Sequence, residues 1–147
     1  IYGERERPEK LYPRLYTSIF TDYEFPLYKG SEEHLRSYTY IDDAIDAFLL
    51  VLENMEKCEG EIFNIGYDGT ITTGEAIKIV EEVVGAPAKY YRESRRAGDQ
   101  HETHANIDKA RKILGYNPTT APREGFEKTV KWYKKKILPL IEDGKLE

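Results

Sequence analysis

Apolar positions recur along this chain with a helical period in some stretches and a strand period in others. Leu11, Leu15 and Ile19 fall at i, i+4 and i+8, which predicts a helix over residues 9–22, with Pro13 in its first turns, where a missing N–H costs least. Phe25-Pro26-Leu27-Tyr28 reads as a short strand ended by Gly30, and the polar residues 31–35 read as a loop. Ser37-Tyr38-Thr39-Tyr40 alternates and is rich in β-formers, so it reads as a second strand. Ala44, Ala47, Phe48, Val51 and Leu52 then form one apolar stripe, predicting a helix capped by Asp42 or Asp43.

Beyond Gly60, Ile62-Phe63-Asn64-Ile65 has the pattern of a buried strand, followed by Gly66 and a turn at Asp68-Gly69. Thr72 with Glu75 fits a capping box that opens a helix through Ile77, Val80 and Val84, with Gly85 at its stop and Pro87 beyond. Lys89 to Arg92 reads as a further strand. Residues 93–104 are charged and without period, so they read as a long loop. Ile107 to Leu114 is a short helix stopped by Gly115, and Pro122 opens a last helix through Phe126, Val130 and Tyr133 towards Ile137. The sum is a small α+β domain over residues 1–147, with four or five helices and a few short strands.

Composition narrows the class. The 147 residues are 39% hydrophobic and 33% charged, which suits one globular domain with a real core. The net charge of -5 argues against a nucleic-acid partner, and no apolar run is long enough for a membrane helix. Lys134, Lys135 and Lys136 read as the solvated side of the last helix. Cys58 is the only cysteine, so a disulfide within the chain is excluded and a reducing cytoplasm is the expected location. The opening Ile1-Tyr2-Gly3 reads as a cut inside a larger polypeptide.

Three arginines stand out as candidate chemistry: Arg36, Arg95 and Arg96. Arg36 sits between a loop and a strand, and Arg96 precedes the tight turn Ala97-Gly98-Asp99. A guanidinium is a planar fork of donors, suited to gripping a diphosphate with two hydrogen bonds. The competing role for each is a surface ion pair. His101 and His104 are three apart, unlike the His-Glu-x-x-His of a metalloprotease, and no metal site is expected. Asp42-Asp43 reads as helix capping rather than an acid/base pair. Cys58 shows no sign of activation.

Taken in order, the segments resemble the C-terminal half of NAD-dependent sugar-nucleotide epimerases and dehydratases, which are extended short-chain dehydrogenase/reductases. Ile1-Tyr2-Gly3-Glu4-Arg5-Glu6-Arg7-Pro8 resembles that family's Val-Tyr-Gly-Pro-Arg-x-Arg-Pro. Arg36-Ser37-Tyr38-Thr39-Tyr40-Ile41-Asp42-Asp43 resembles Arg-Asp-Phe-x-Tyr-Val-Asp-Asp. Phe63-Asn64-Ile65-Gly66 resembles Tyr-Asn-Ile-Gly, and Arg96-Ala97-Gly98-Asp99 resembles Arg-x-Gly-Asp. Leu114-Gly115-Tyr116-Asn117-Pro118 and the closing Gly125 to Trp132-Tyr133 also match in order and spacing. Each piece is short, and the ordered set is specific for the family rather than for one activity.

The resemblance implies the small C-terminal substrate lobe of such an enzyme, with the N-terminal Rossmann lobe absent. It implies that Arg36 and Arg96 clamp the diphosphate, that Tyr28 packs on the base, that Asp99 accepts from the ribose hydroxyls, and that Arg7 lies near the substrate cleft. Glu4 replaces the usual proline, Ser37 the usual aspartate, and Ser31-Glu32 the usual Asp-Gly. Glu32 and Glu33 add negative charge beside the proposed clamp and lower its expected affinity.

The family's reaction passes a hydride to and from NAD held on a Gly-x-x-Gly-x-x-Gly turn. No such turn exists here, and no Tyr-x-x-x-Lys pair; Tyr133 with Lys136 comes near that spacing but lies in the closing helix and is read as chance. No catalytic or cofactor-binding residue is therefore expected in this chain, with NAD expected on an N-terminal lobe of the complete enzyme. The leading expectation is the UDP-sugar-binding lobe of a 4-epimerase acting on a UDP-hexose or UDP-hexuronate. A dehydratase or decarboxylase lobe of the same family, and a stand-alone binding module without catalysis, stay open. Without the partner lobe, exposed apolar surface is expected to drive self-association, with a homodimer as one form.

Overall fold

The computed structural model describes residues 1–145. Seven helices are present among them: α1 (Leu11–Phe20), α2 (Ile41–Glu53), α3 (Met55–Cys58), α4 (Thr73–Val84), α5 (Asp108–Leu114), α6 (Pro122–Lys136) and α7 (Leu138–Glu142). Five short strands accompany them: β1 (Phe25–Tyr28), β2 (Leu35–Arg36), β3 (Ile71–Thr72), β4 (Tyr90–Glu93) and β5 (Glu102–Thr103). β1 pairs in parallel with β4, Tyr28 lying opposite Glu93. The second sheet has the order β3-β2-β5, with β2 antiparallel to β3 and parallel to β5. This is the mixed, mostly helical α+β arrangement that the periodicities predict.

The helix ends follow from local chemistry. Thr72 accepts the Glu75 N–H at 3.1 Å, and the Glu75 carboxylate accepts the Thr72 N–H at 2.7 Å, which closes the expected capping box on α4. The Thr72 N–H and hydroxyl, both donating to the Glu75 carboxylate, hold that carboxyl below its ordinary range. Gly85, at φ 84°, ends α4 in the left-handed region that a side chain would resist, and Pro122 opens α6.

The main core is aromatic. Tyr2, Tyr12, Tyr38, Tyr40 and Phe126 contact one another, with the Tyr2 and Phe126 rings 4.6 Å apart and Tyr12 and Phe126 4.8 Å apart. Leu15, Phe25, Ala76 and Val80 complete it, so α1, β1, α4 and α6 close around one centre. Tyr133 is buried in this core, its hydroxyl 2.7 Å from Thr17 Oγ1. It is a packing residue, as expected for a chance pairing with Lys136. A second, smaller cluster joins α2 to α5 through Ala47, Ile107, Ala110 and Tyr116.

Several elements depart from the reading of the sequence. The strand expected over residues 37–40 is instead β2, two residues earlier; only an isolated bridge between Tyr2 and Tyr40 remains of the expected one. Ser31–Glu33 is a single 3-10 turn, and the long loop contains β5, which pairs with β2. Residues 62–65 belong to no sheet among the described residues, and Ile62 is 82% exposed. A β-rich sequence needs a neighbour to bond with, and none is placed there. α3 and α7 are additional short helices.

Asp43 does not cap α2. It lies at the third helical position, past the cap, and is 4% exposed; its carboxylate accepts the N–H groups of Thr119 and Thr120 at 3.1 and 3.2 Å. It ties α2 to the segment entering α6. The expected apolar stripe on α2 also splits. Ala44 and Ala47 are buried, whereas Phe48 and Leu52 are 69% and 66% exposed. With Ile45 and Leu49 they form an uncovered apolar face on α2; Met55 and Ile62 are exposed beyond it. No helix among the described residues is long and apolar enough to cross a membrane.

Candidate functional site

One cavity of about 580 Å³ gathers residues from distant parts of the chain: Tyr28, His34, Arg36, Arg96 and Asp99 on one set of walls, and Glu6 with α1 residues on another. The backbone explains how they meet. Tyr28 ends β1, half-buried, and its carbonyl accepts the Ser31 hydroxyl at 2.7 Å, which folds the chain at Gly30 (φ 82°) back towards β2. β2 is the central strand of its sheet, so Arg36 is held from both sides, opposite Ile71 and Thr103. Thr73 at the start of α4 donates its N–H to the His34 carbonyl at 2.9 Å, which pins that strand to the main core.

The Arg36 guanidinium is oriented rather than free. Nη1 donates to the Leu35 carbonyl at 2.8 Å, and Nη2 donates to the Gln100 carbonyl at 2.6 Å. Nη2 also lies 3.4 Å from Asp99 Oδ1, while Asp99 Oδ2 lies 3.3 Å from Nδ1 of the buried His34. His34 packs edge-on against His101, whose Nε2 is 2.7 Å from an Arg95 nitrogen. Arg96 is exposed and lines the same cavity; its carbonyl accepts the Asp99 N–H at 3.5 Å in the turn through Gly98 (φ 79°). The guanidiniums of Arg36 and Arg96, the Asp99 carboxylate and the Tyr28 ring therefore line one space. They can hold an anion bidentately, a diol and a planar ring.

The sequence-predicted site residues divide. Tyr28, Arg36, Arg96 and Asp99 come together. Arg7 does not line the cavity; it is 71% exposed and pairs with Glu9 at 3.6 Å. Glu32, expected to weaken an anion site, is ion-paired with Arg92 from β4. Sequence reasoning missed His34, Gln100 and Glu6. His34 carried a signal, being a histidine two residues before a candidate arginine. The Gln100 carbonyl carried none, since any residue has one. Among the described residues, no group of three or more His, Cys, Asp or Glu side chains is placed to hold a metal ion.

At the other wall, Glu6 is largely withdrawn from solvent, and burial pushes its carboxyl up to about 7. The Tyr12 and Tyr16 hydroxyls are buried, and burial raises both well above the usual phenol range. Tyr38 is nearby, its hydroxyl 3.2 Å from Thr73 Oγ1.

Residues 1–66 match the NAD dependent epimerase/dehydratase family. The chain is 31% identical to UDP-glucuronate 4-epimerase 6 of Arabidopsis thaliana, over 90% of this chain and 32% of that protein. It is 30% identical to dTDP-glucose 4,6-dehydratase of Streptomyces griseus, over 99% of this chain and 44% of that one. It superposes on the crystal structure of UDP-glucuronic acid 4-epimerase from Bacillus cereus, in complex with UDP-glucuronic acid and NAD, with a TM-score of 0.83 and 30% identity. That alignment covers 91% of this chain and 42% of that one. The chain thus spans less than half the length of the relatives it matches.

Proposed function

This chain is homologous to the NAD dependent epimerase/dehydratase enzymes among the extended short-chain dehydrogenase/reductases, and from that premise we propose that residues 1–147 form the sugar-nucleotide-binding lobe of a UDP-sugar 4-epimerase. The observation that carries this reading is the convergence of Tyr28, Arg36, Arg96 and Asp99 on one cavity. Arg36 presents a fork already oriented by the Leu35 and Gln100 carbonyls, so little side-chain freedom is lost on binding. A diphosphate arriving between Arg36 and Arg96 takes the place of Asp99 at the Arg36 guanidinium. That frees the Asp99 carboxylate to accept from a ribose diol, while Tyr28 offers its ring to the base.

The chain's own residues do not fit NAD. None of its glycines forms a Gly-x-x-Gly-x-x-Gly run, so the cofactor belongs on a separate N-terminal lobe and this chain binds without turning over. The uncovered face of α2 supports such a lobe as a partner, since exposed apolar patches of this kind mark packing surfaces. The likeness to a dTDP-glucose dehydratase supports a second reading, in which the same clamp serves a dehydratase.

Calorimetric titration with UDP, dTDP and GDP tests both. Saturable binding is expected, strongest for UDP, and Arg36→Ala and Arg96→Ala should each weaken it by about 10- to 100-fold, the loss of one or two charge-assisted hydrogen bonds. A preference for dTDP favours the dehydratase reading. Absence of nucleotide binding, or binding indifferent to both variants, overturns the clamp.

A further inference from the structure

We propose that Glu6 is a specificity-determining residue of this cavity, one that selects a nucleoside diphosphate bearing a neutral hexose over one bearing a hexuronate; the proposal rests on the diphosphate clamp described above. The turn that carries Glu6 closes through its N–H to the Gly3 carbonyl at 3.3 Å, with Arg5 at φ 62°. Arg5 and Arg7, on either side, face solvent, and Glu6 alone of the three is turned inward. The arginine that the family resemblance places near the substrate is thus outside, and an acid lines the cavity in its stead.

The wall around Glu6 holds unsatisfied polar atoms. Glu6 Oε2, the Tyr12 hydroxyl and the Tyr16 hydroxyl are all buried without a hydrogen-bond partner among the described residues. Tyr12 and Tyr16 are more than nine-tenths buried, and Tyr12 lines the cavity beside Glu6, Arg36 and Arg96. Buried polar atoms in native proteins nearly always have partners, so Glu6 Oε2 and the Tyr12 hydroxyl, on two residues that line the cavity, mark a place for a ligand's hydroxyls or for water. A hexose hydroxyl can donate to the Glu6 carboxylate and accept from Tyr12. A hexuronate brings a second carboxylate into the same poorly solvated space, where like charges repel most strongly.

The charged and titratable groups around Glu6 are few. Lys10 favours its ionised form, against the larger effect of burial; Tyr16 senses its charge; Glu9 and Arg14 line the same cavity. Because the carboxyl titrates near 7, Glu6 is mostly neutral at pH 5.5 and charged at pH 8.5. A uronate stays ionised throughout, so discrimination should grow as pH rises through 7. His34 touches Arg36 and Asp99 at the diphosphate end, which both ligands share. The ratio of the two affinities cancels that contribution.

The test is calorimetry on the full chain with UDP, UDP-glucose and UDP-glucuronic acid at pH 5.5 and 8.5, for the natural sequence and Glu6→Gln. At pH 8.5 UDP-glucose should bind about tenfold or more tighter than UDP-glucuronic acid, the equivalent of one pKa unit of differential interaction. That ratio should fall several-fold at pH 5.5, and in Glu6→Gln it should be small and independent of pH. Equal binding of the two sugars at pH 8.5, as would follow if Lys10 or Arg14 met the uronate, overturns the role of Glu6. So does a ratio that Glu6→Gln leaves intact. Failure of UDP itself to bind overturns the clamp, and with it this proposal.

Discussion

The two flanks of the molecule are built to different standards of completeness. On the cleft side, α1, β1, α4 and α6 enclose a core of interlocked aromatic rings. On the far side, α2 and α5 share a cluster of four buried residues, while the opposite face of α2 lies open and residues 62–65 pair with no strand among the described residues. The cleft is mounted on the complete side, through the bonds from Thr73 to the His34 carbonyl. A ligand-binding site can therefore be rigid in a chain whose other flank is unfinished. The other flank carries exposed apolar side chains on α2.

The comparison breaks most sharply at Phe126. It is 0% exposed and packs against Tyr2, Tyr12 and Tyr38, two of which present hydroxyls or rings at the cavity wall. Phe126→Ala should cost about 3–5 kcal/mol by urea denaturation, the range for removing a buried phenylalanine from a packed core. It should also reduce nucleotide binding, because the walls that Tyr12 and Tyr38 supply lose their backing. A loss below about 1 kcal/mol would mean that the aromatic core is loosely packed, and the contrast between the flanks would fail.

Asp43 gives the next effect. Asp43→Asn keeps the shape but exchanges one acceptor oxygen for a donor that faces an N–H of Thr119 or Thr120. Leaving a buried donor unpaired should cost about 1–3 kcal/mol. If the flanks differ as described, the loss is local. Hydrogen exchange should show the Thr119 and Thr120 amides and those of α2 opening, while α1 and α6 keep their protection. Uniform loss of protection would show one cooperative unit instead.

How much of this was legible in the sequence follows the same division. Where local chemistry decides, the reading held: the capping box at Thr72 and Glu75, the stop at Gly85, the strand at Phe25–Tyr28 and the helix spans all appear. Where the outcome depends on what lies across the chain, it did not. The pattern at 62–65 is that of a strand, but a pattern cannot supply the neighbour. The stripe on α2 is amphipathic, but periodicity alone does not say that only Ala44 and Ala47 find cover. Asp43 looked like a cap because aspartate at a helix start usually is one; its true partners are about 76 residues away in the chain. At the site, the arginines, Tyr28 and Asp99 were marked by the resemblance and meet at one cavity. The inward turn of Glu6 was hidden, since it depends on the backbone at Arg5 rather than on any property of the glutamate.

The open face of α2 gives the smallest change in stability and the clearest change in behaviour. Phe48 and Leu52 are largely solvated in this chain, so replacing them forfeits little burial. Phe48→Gln combined with Leu52→Gln should leave the unfolding free energy within about 0.5 kcal/mol, as for surface positions in general, since glutamine is a comparable helix former. Association should respond differently. Contiguous exposed apolar side chains drive contact in proportion to the area they hide from water, so the natural chain should self-associate as its concentration rises. Light scattering should show the double variant monomeric across the same range. A natural chain that stays monomeric throughout would mean that this face is tolerated by water, and the unfinished flank would then have no partner to explain. A variant that still associates would place the contact elsewhere, with the cleft rim as the next surface to test.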